Sequence, residues 1–233
     1  MQIGKVTLAT AILAATLTFG ASMPAHAASG IMKIAHALPP AAPRNQGALK
    51  VAKLLHADSR CDLKVQVYPS GQLGGTAVLI ENLQIGALEM ALLPASFLVG
   101  FQPLIGIMDF PFFFPRNKEA LFKIHQSVAM KKLLATTEEK GIKSLAIWHT
   151  GYKAWTANTP LNKLANYTGL KARVMPSKVL IKQDELLGLT PIGMPFAETY
   201  SALQNRAIDA QENPIATSFF MKFYEVQKYM ALT

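Results

Sequence analysis

The sequence of 233 residues predicts an α/β protein built on a largely parallel sheet. Short strand-like runs alternate with helical runs of about ten residues, the pattern of successive βα units. No period of roughly 20–50 residues repeats, which excludes solenoids and propellers. No low-complexity linker divides the chain, and a change of composition near residue 141 marks its best candidate boundary.

The N-terminus is set apart from this pattern. Lys5 precedes an uncharged, mostly apolar run from Val6 to Phe19, and Ala25-His26-Ala27 supplies a small-x-small cleavage site. Residues 1–27 therefore read as a signal peptide. The apolar run is short of the roughly 20 residues that a membrane-spanning helix needs. No Cys follows the cleavage site, so no lipid anchor is indicated. The expected destination is the periplasm. Cys61 is the single cysteine, which rules out an intramolecular disulfide and reads best as a small packed hydrophobe.

Element by element, residues 31–36 form a strand candidate ahead of the loop Pro39-Pro40-Ala41-Ala42-Pro43. Residues 45–59 read as a helix, with Leu49, Ala52 and Leu55 on one face. Leu63, Val65 and Val67 alternate with polar neighbours as a strand does. A helix is expected over 76–85 with Gly86 as its cap, then a buried strand over 88–94. Residues 117–140 read as one longer helix stopped by Gly141. Strands are expected over 142–149, 153–157, 170–175 and 208–210. Helices are expected over 178–187, 197–206 and 217–229.

Charge narrows the function. The chain carries 23 Lys/Arg against 14 Asp/Glu, a formal net charge of +9. Eight basic residues lie between Lys140 and Lys182, and no acid interrupts them before Asp184. A region of one sign concentrates ligands of the other sign; most of these lysines need only be a solvated surface. An exported chain without short basic clusters is a poor partner for nucleic acid.

Signatures of catalysis are missing. There is no G-x-S-x-G elbow, no H-E-x-x-H helix and no phosphate loop ending in Gly-Lys-Ser/Thr. The glycines of 71–75 lack dinucleotide-binding spacing. His36, His56, His125 and His149 are not at metal-ligand spacing. No enzyme activity, metal or cofactor is expected.

Arg173 stands out. It is the one guanidinium in the apolar run 170–175, and no acid lies within ten residues on either side. A buried arginine needs a negative partner. That partner is either a distant Asp or Glu of the chain or a ligand carboxylate gripped by the two-pronged fork. Ligands of open α/β sheets bind beyond the carboxyl ends of strands, where Arg173 would sit.

The run Leu170-Lys171-Ala172-Arg173-Val174-Met175-Pro176-Ser177 resembles the arginine strand of the periplasmic binding subunits of TRAP transporters, the DctP-like family. Further matches follow in order: Tyr68-Pro69-Ser70-Gly71-Gln72-Leu73-Gly74, then Asp109-Phe110-Pro111-Phe112-Phe113-Phe114. Pro195-Phe196-Ala197-Glu198-Thr199-Tyr200, Asp209-Ala210-Gln211-Glu212-Asn213-Pro214 and Phe223-Tyr224-Glu225-Val226-Gln227-Lys228-Tyr229 complete the set. The resemblance implies a two-lobed periplasmic binding protein fold with mostly parallel sheets and a hinge. Lobe I would span 28–141 and lobe II 142–216, with 217–233 beginning a return toward lobe I.

It also implies a function: capture of a small organic carboxylate, such as a C4-dicarboxylate, for delivery to TRAP membrane permease subunits, by a monomer. A ligand-sensing subunit and an inert truncated product are the alternatives. The implied ligand-binding residues are Arg173 for the carboxylate and Asn213 beside it. Lys153 would be a second cation, and Trp155, Phe196 and Met175 an apolar wall. His36 and Glu81 lie in segments that reach the cleft in relatives. Phe110 to Phe114 are expected to pack in the core. Family members run on for roughly a hundred residues past the last motif, a stretch of domain scale, so bare apolar surface is expected here.

Overall fold

A computed structural model describes residues 30–58 and 63–232. The signal peptide expected over 1–27, with Ser59, Cys61 and Thr233, lies outside the described residues. The first half builds a parallel sheet from β1 (Ile31–Ala35), β2 (Lys64–Tyr68) and β3 (Met90–Ala91), in the order β2-β1-β3. The crossovers are α1 (Pro43–Ala57) and α2 (Thr76–Gln84). Pro43 suits the first turn of α1, where its missing N–H costs nothing and its ring presets φ. Gly86, at φ +72°, terminates α2 as expected. Ala35, Leu79 and Leu88 are buried together between sheet and helix.

β3 is shorter than the strand expected over 88–94. The Glu89 carboxylate accepts the Lys33 backbone N–H at 2.8 Å, taking a group that a ladder partner would use, and Pro94 then precedes a 3-10 turn at Ala95–Leu98. A second 3-10 segment, Pro103–Asp109, leads to α3 (Lys118–Gln126) and α4 (Val128–Ala135). The single helix expected over 117–140 breaks at Ser127. That residue leaves helical geometry at ψ 157°, and its hydroxyl accepts the Met130 N–H at 3.2 Å, capping the second helix. Residues 142–149, expected as a strand, have no ladder partner among the described residues. Trp148 instead lies on α1 at Gly47, where a Cβ would come within 2.6 Å of the indole.

The second sheet contains β4 (Lys153–Ala157), β5 (Lys171–Val174), β6 (Thr190–Gly193), β7 (Ala210–Pro214) and β8 (Tyr229–Leu232), in the order β6-β5-β7-β4-β8. β5 runs parallel to β6 and β7, whereas β4 is antiparallel to β7 and β8. Helices α5 (Lys178–Leu186), α6 (Thr199–Gln204) and α7 (Ile215–Phe220) complete the half. β6 escaped the sequence reading because Pro191 sits inside it; an edge strand tolerates a proline that a central one would not. The helix expected over 217–229 ends early, because Lys222 adopts φ +58° and turns the chain. Residues 217–233 were expected to head back toward lobe I. In the described part of that stretch, β8 forms an edge of the second sheet beside β4.

Register then sorts the side chains, since directly opposed residues share a face and neighbours along a strand alternate. Arg173 opposes Gln211 and Ile192, while Thr156 opposes Gln211 and Ala154 opposes Asn213. That face packs on Leu203, Ile208 and Phe223. Ala172 opposes Ala210, and Trp155 opposes Glu212. This other face holds Trp155, Ala157, Leu161, Tyr167 and Leu189 in a separate core.

Candidate functional site

A groove of about 1990 Å³ runs between the two sheets. It exceeds the ~300–1,000 Å³ of an ordinary small-molecule pocket, as an open cleft does. Its walls include Arg44 and Leu92 to Phe97 from the first half, the segment 141–152, and Lys153, Trp155, Arg173, Met175, Phe196 and Asn213 from the second. Six of the eight residues singled out from the sequence are thus brought together. His36 and Glu81 are not among the lining residues. Glu81 is exposed on α2. His36 is fully buried: its Nδ1 accepts the Leu38 N–H at 3.2 Å, and Nε2 meets Asn45 Oδ1 at 3.2 Å. Both ring nitrogens are used, and burial holds the imidazole below its usual pKa, so the residue ties down the loop before α1.

Arg173 is 2 % exposed, and its Nε and Nη2 are buried without a hydrogen-bond partner. None of the described ion pairs includes it. The guanidinium carbon lies 5.5 Å from the centre of the Phe196 ring, a cation–π arrangement. Burial pushes its pKa down to about 10, which still leaves the group cationic at neutral pH. No described ion pair joins Arg173 to an Asp or Glu, although Asp184 and Glu212 share with it the lining of a small cavity.

The floor beside Arg173 is a polar ladder. Asn213 Nδ2 donates to Gln211 Oε1 at 2.6 Å; Gln211 Nε2 donates to Thr156 Oγ1 at 2.8 Å and Ser218 Oγ at 3.3 Å. Gln211 is fully buried and Asn213 nearly so. Sequence reading chose Asn213 and passed over Gln211, although the i, i+2 spacing in a strand puts both on one face.

Lys153 is committed elsewhere. Its Nζ meets Glu212 Oε2 at 2.7 Å, and Gln183 Nε2 reaches the same carboxylate at 3.3 and 3.4 Å. Register places this pair on the face opposite Arg173. Nearby, Asp184 is 1 % exposed with both oxygens unpartnered, beside a small cavity lined also by Arg173, Trp155, Leu180 and Glu212. Burial, reinforced by the Glu212 charge, raises its pKa to about 7.

Trp155 is 1 % exposed and packs edge-on against Tyr167 at 6.0 Å, so the cleft floor on this side is also core. Phe110 to Phe114, expected in the core, are mostly not there: Phe112 is 90 % exposed, and Phe110 and Phe114 line the groove. No described element covers them. The cleft lining holds the Arg173 guanidinium, which is in no described ion pair, and such a cation suits an anionic occupant.

The model of the bacterial extracellular solute-binding protein family 7, DctP, matches residues 34–233. The C4-dicarboxylate-binding periplasmic protein DctP of Rhodobacter capsulatus is 39% identical over 225 residues, covering 94% of this chain and 66% of that protein. A TRAP periplasmic solute-binding protein from Desulfovibrio salexigens, solved with orotic acid, superposes with a TM-score of 0.83 at 40% identity, covering 86% of this chain and 64% of that one. A sugar acid binding protein from Advenella mimigardefordensis, in complex with galactonate, gives 0.83 at 31% identity, with 86% and 65% covered. The chain spans about two thirds of the length of each of these. Across that span, the match places it plainly in a family: this chain belongs to the DctP family of bacterial extracellular solute-binding proteins.

Proposed function

We propose that the chain captures a small organic carboxylate outside the cytoplasm and delivers it to TRAP-type membrane permease subunits, with no chemical step. The observation that carries this reading is the buried Arg173 guanidinium, which lies among the residues lining the cleft and joins none of the described ion pairs. A desolvated, unpaired cation is costly in a folded protein, and a ligand carboxylate that occupies the fork removes the cost. Asn213 flanks that carboxylate, Phe196 backs the guanidinium, and Met175 supplies apolar wall.

Two lobes, 28–141 and 142 onward, would close on the ligand, and closure would be the signal read by the permease. Residues 1–27 direct export and are removed. The protein acts as a monomer. The family and the basic stretch 140–182 support the reading, the latter by drawing anions toward the cleft.

A thermal-shift titration with orotate, galactonate and succinate tests it on wild type and Arg173→Gln. At least one acid is expected to raise the wild-type melting temperature, and none the variant's. Equal stabilisation of both proteins would remove Arg173 from the site.

A further inference from the structure

The resting partner of Lys153 raises the question of what else in the groove could hold a second anionic group. Three acids line the groove, and each is engaged: Glu89 with Lys33, Glu212 with Lys153, and Asp109 with the Ser96 hydroxyl at 2.6 Å. Among the basic lining residues, Arg116, Lys163, Lys178 and Lys182 are exposed to solvent, and Lys143 faces Glu138. Arg44 differs from all of these. It is partly buried, lines the groove from the first half of the molecule, and takes part in none of the described ion pairs or side-chain hydrogen bonds. Burial lowers its pKa, as it does for Arg173.

Its backbone is held firmly. Ala42 and Ala48 are fully buried on either side, and Asn45, the next residue, is locked by His36 and by its own bond to the Pro40 carbonyl at 2.9 Å. The first turn of α1 contains no acid that could neutralise the guanidinium. The groove therefore has one arginine outside the described ion pairs in each wall: the buried Arg173 from the second sheet and the partly buried Arg44 from the first helix.

We propose that Arg44 is the second anchor of the ligand, so that the preferred acid carries two acceptor groups, a carboxylate for Arg173 and a second carboxylate or a carbonyl for Arg44. Lys153 is not that anchor, because Glu212 already neutralises it. A ligand gripped at both ends ties the two walls together, which a simple monocarboxylate does not. This inference rests on the proposed anion-capture function and assigns its selectivity.

The test is calorimetric, on the whole chain, with two matched probe pairs: succinate against butyrate, and orotate against benzoate. Wild type is expected to bind the two-acceptor member of at least one pair roughly 10- to 100-fold more tightly, the range of a charge-assisted hydrogen bond. Arg44→Gln should erase that preference while leaving the weaker binding of the monocarboxylate. Arg44→Lys, keeping a point charge without the fork, should fall between. The double variant Lys153→Gln/Glu212→Gln, which removes the neutral pair as a unit, should keep the preference.

Circular dichroism melts establish that each variant is folded. A preference that survives in Arg44→Gln, or that disappears with the Lys153/Glu212 pair, overturns the assignment. So does a wild type that holds butyrate and benzoate as well as their partners, or that binds no probe. Failure of the underlying reading looks different: Arg173→Gln would then bind as wild type does.

Discussion

On one face of the second sheet a guanidinium, Arg173, lies buried and takes part in none of the described ion pairs. On the other face an ammonium, Lys153, lies 2.7 Å from Glu212. The two cations occupy strands of one sheet, separated by the central strand β7. β7 supplies the difference: its residues alternate, Gln211 and Asn213 toward Arg173, Glu212 toward Lys153. A neutral amide leaves a cation available to a ligand, whereas a carboxylate consumes it. A single strand thus decides which cation stays available, and it does so by parity of position.

The sharpest way to break this contrast after Arg173 itself is Gln211→Leu. It strips the partner from Asn213 Nδ2 and removes the acceptor and donor that join Thr156 and Ser218. Leaving such buried groups unsatisfied costs about 3 kcal/mol in total, read in urea melts, and ligand affinity should fall roughly tenfold as Asn213 loosens. Glu212→Gln probes the opposite face. It should cost about 1–2 kcal/mol, because the half-buried Lys153 loses its charge partner, while affinity at Arg173 changes less than about threefold. A large loss of binding would mean that the two faces are not independent.

Asp184→Asn gives the smallest effect and a sign that can be checked. The folded-state pKa of Asp184, about 7, lies above its ordinary 3.8. The folded protein therefore binds more protons in that interval, and its stability falls as pH rises through it. Replacing the carboxyl by an amide removes this slope. The variant should melt ~3 °C above wild type at pH 8 and no higher than wild type below about pH 4. A wild-type advantage at pH 8 would show that the carboxylate has a partner.

Parts of this arrangement were legible in the sequence where the signal was local. The period-two run Lys64–Tyr68, the helix before Gly86 and the arginine in its apolar strand were all read from neighbouring residues. Ser127 was also local: a capping hydroxyl inside an otherwise helical run, overlooked because the apolar spacing continues across it. What the sequence could not show was long-range pairing. Glu212 lies 59 residues from Lys153, so a lysine in a stretch that looks free of acids in one dimension is paired in three. The run 142–149 is apolar enough for the strand expected there, but a strand also needs a neighbour to complete its hydrogen bonds. Arg44 went unnoticed because a basic residue at a helix start among prolines carries no pattern. Only the cleft wall makes it conspicuous.

The amide ladder has a further property. Thr156 and Ser218 end it with hydroxyls, and a hydroxyl can give or take a hydrogen bond. The chain Asn213–Gln211–Thr156/Ser218 can therefore be wired in either direction, all its dipoles reversing together. In one sense it presents an oxygen to the cleft, in the other an N–H. A ligand arriving at Arg173 with a hydroxyl, a carbonyl or a carboxylate edge toward Asn213 would set that polarity for itself, and the same rigid floor would serve chemically unlike acids without moving a backbone atom.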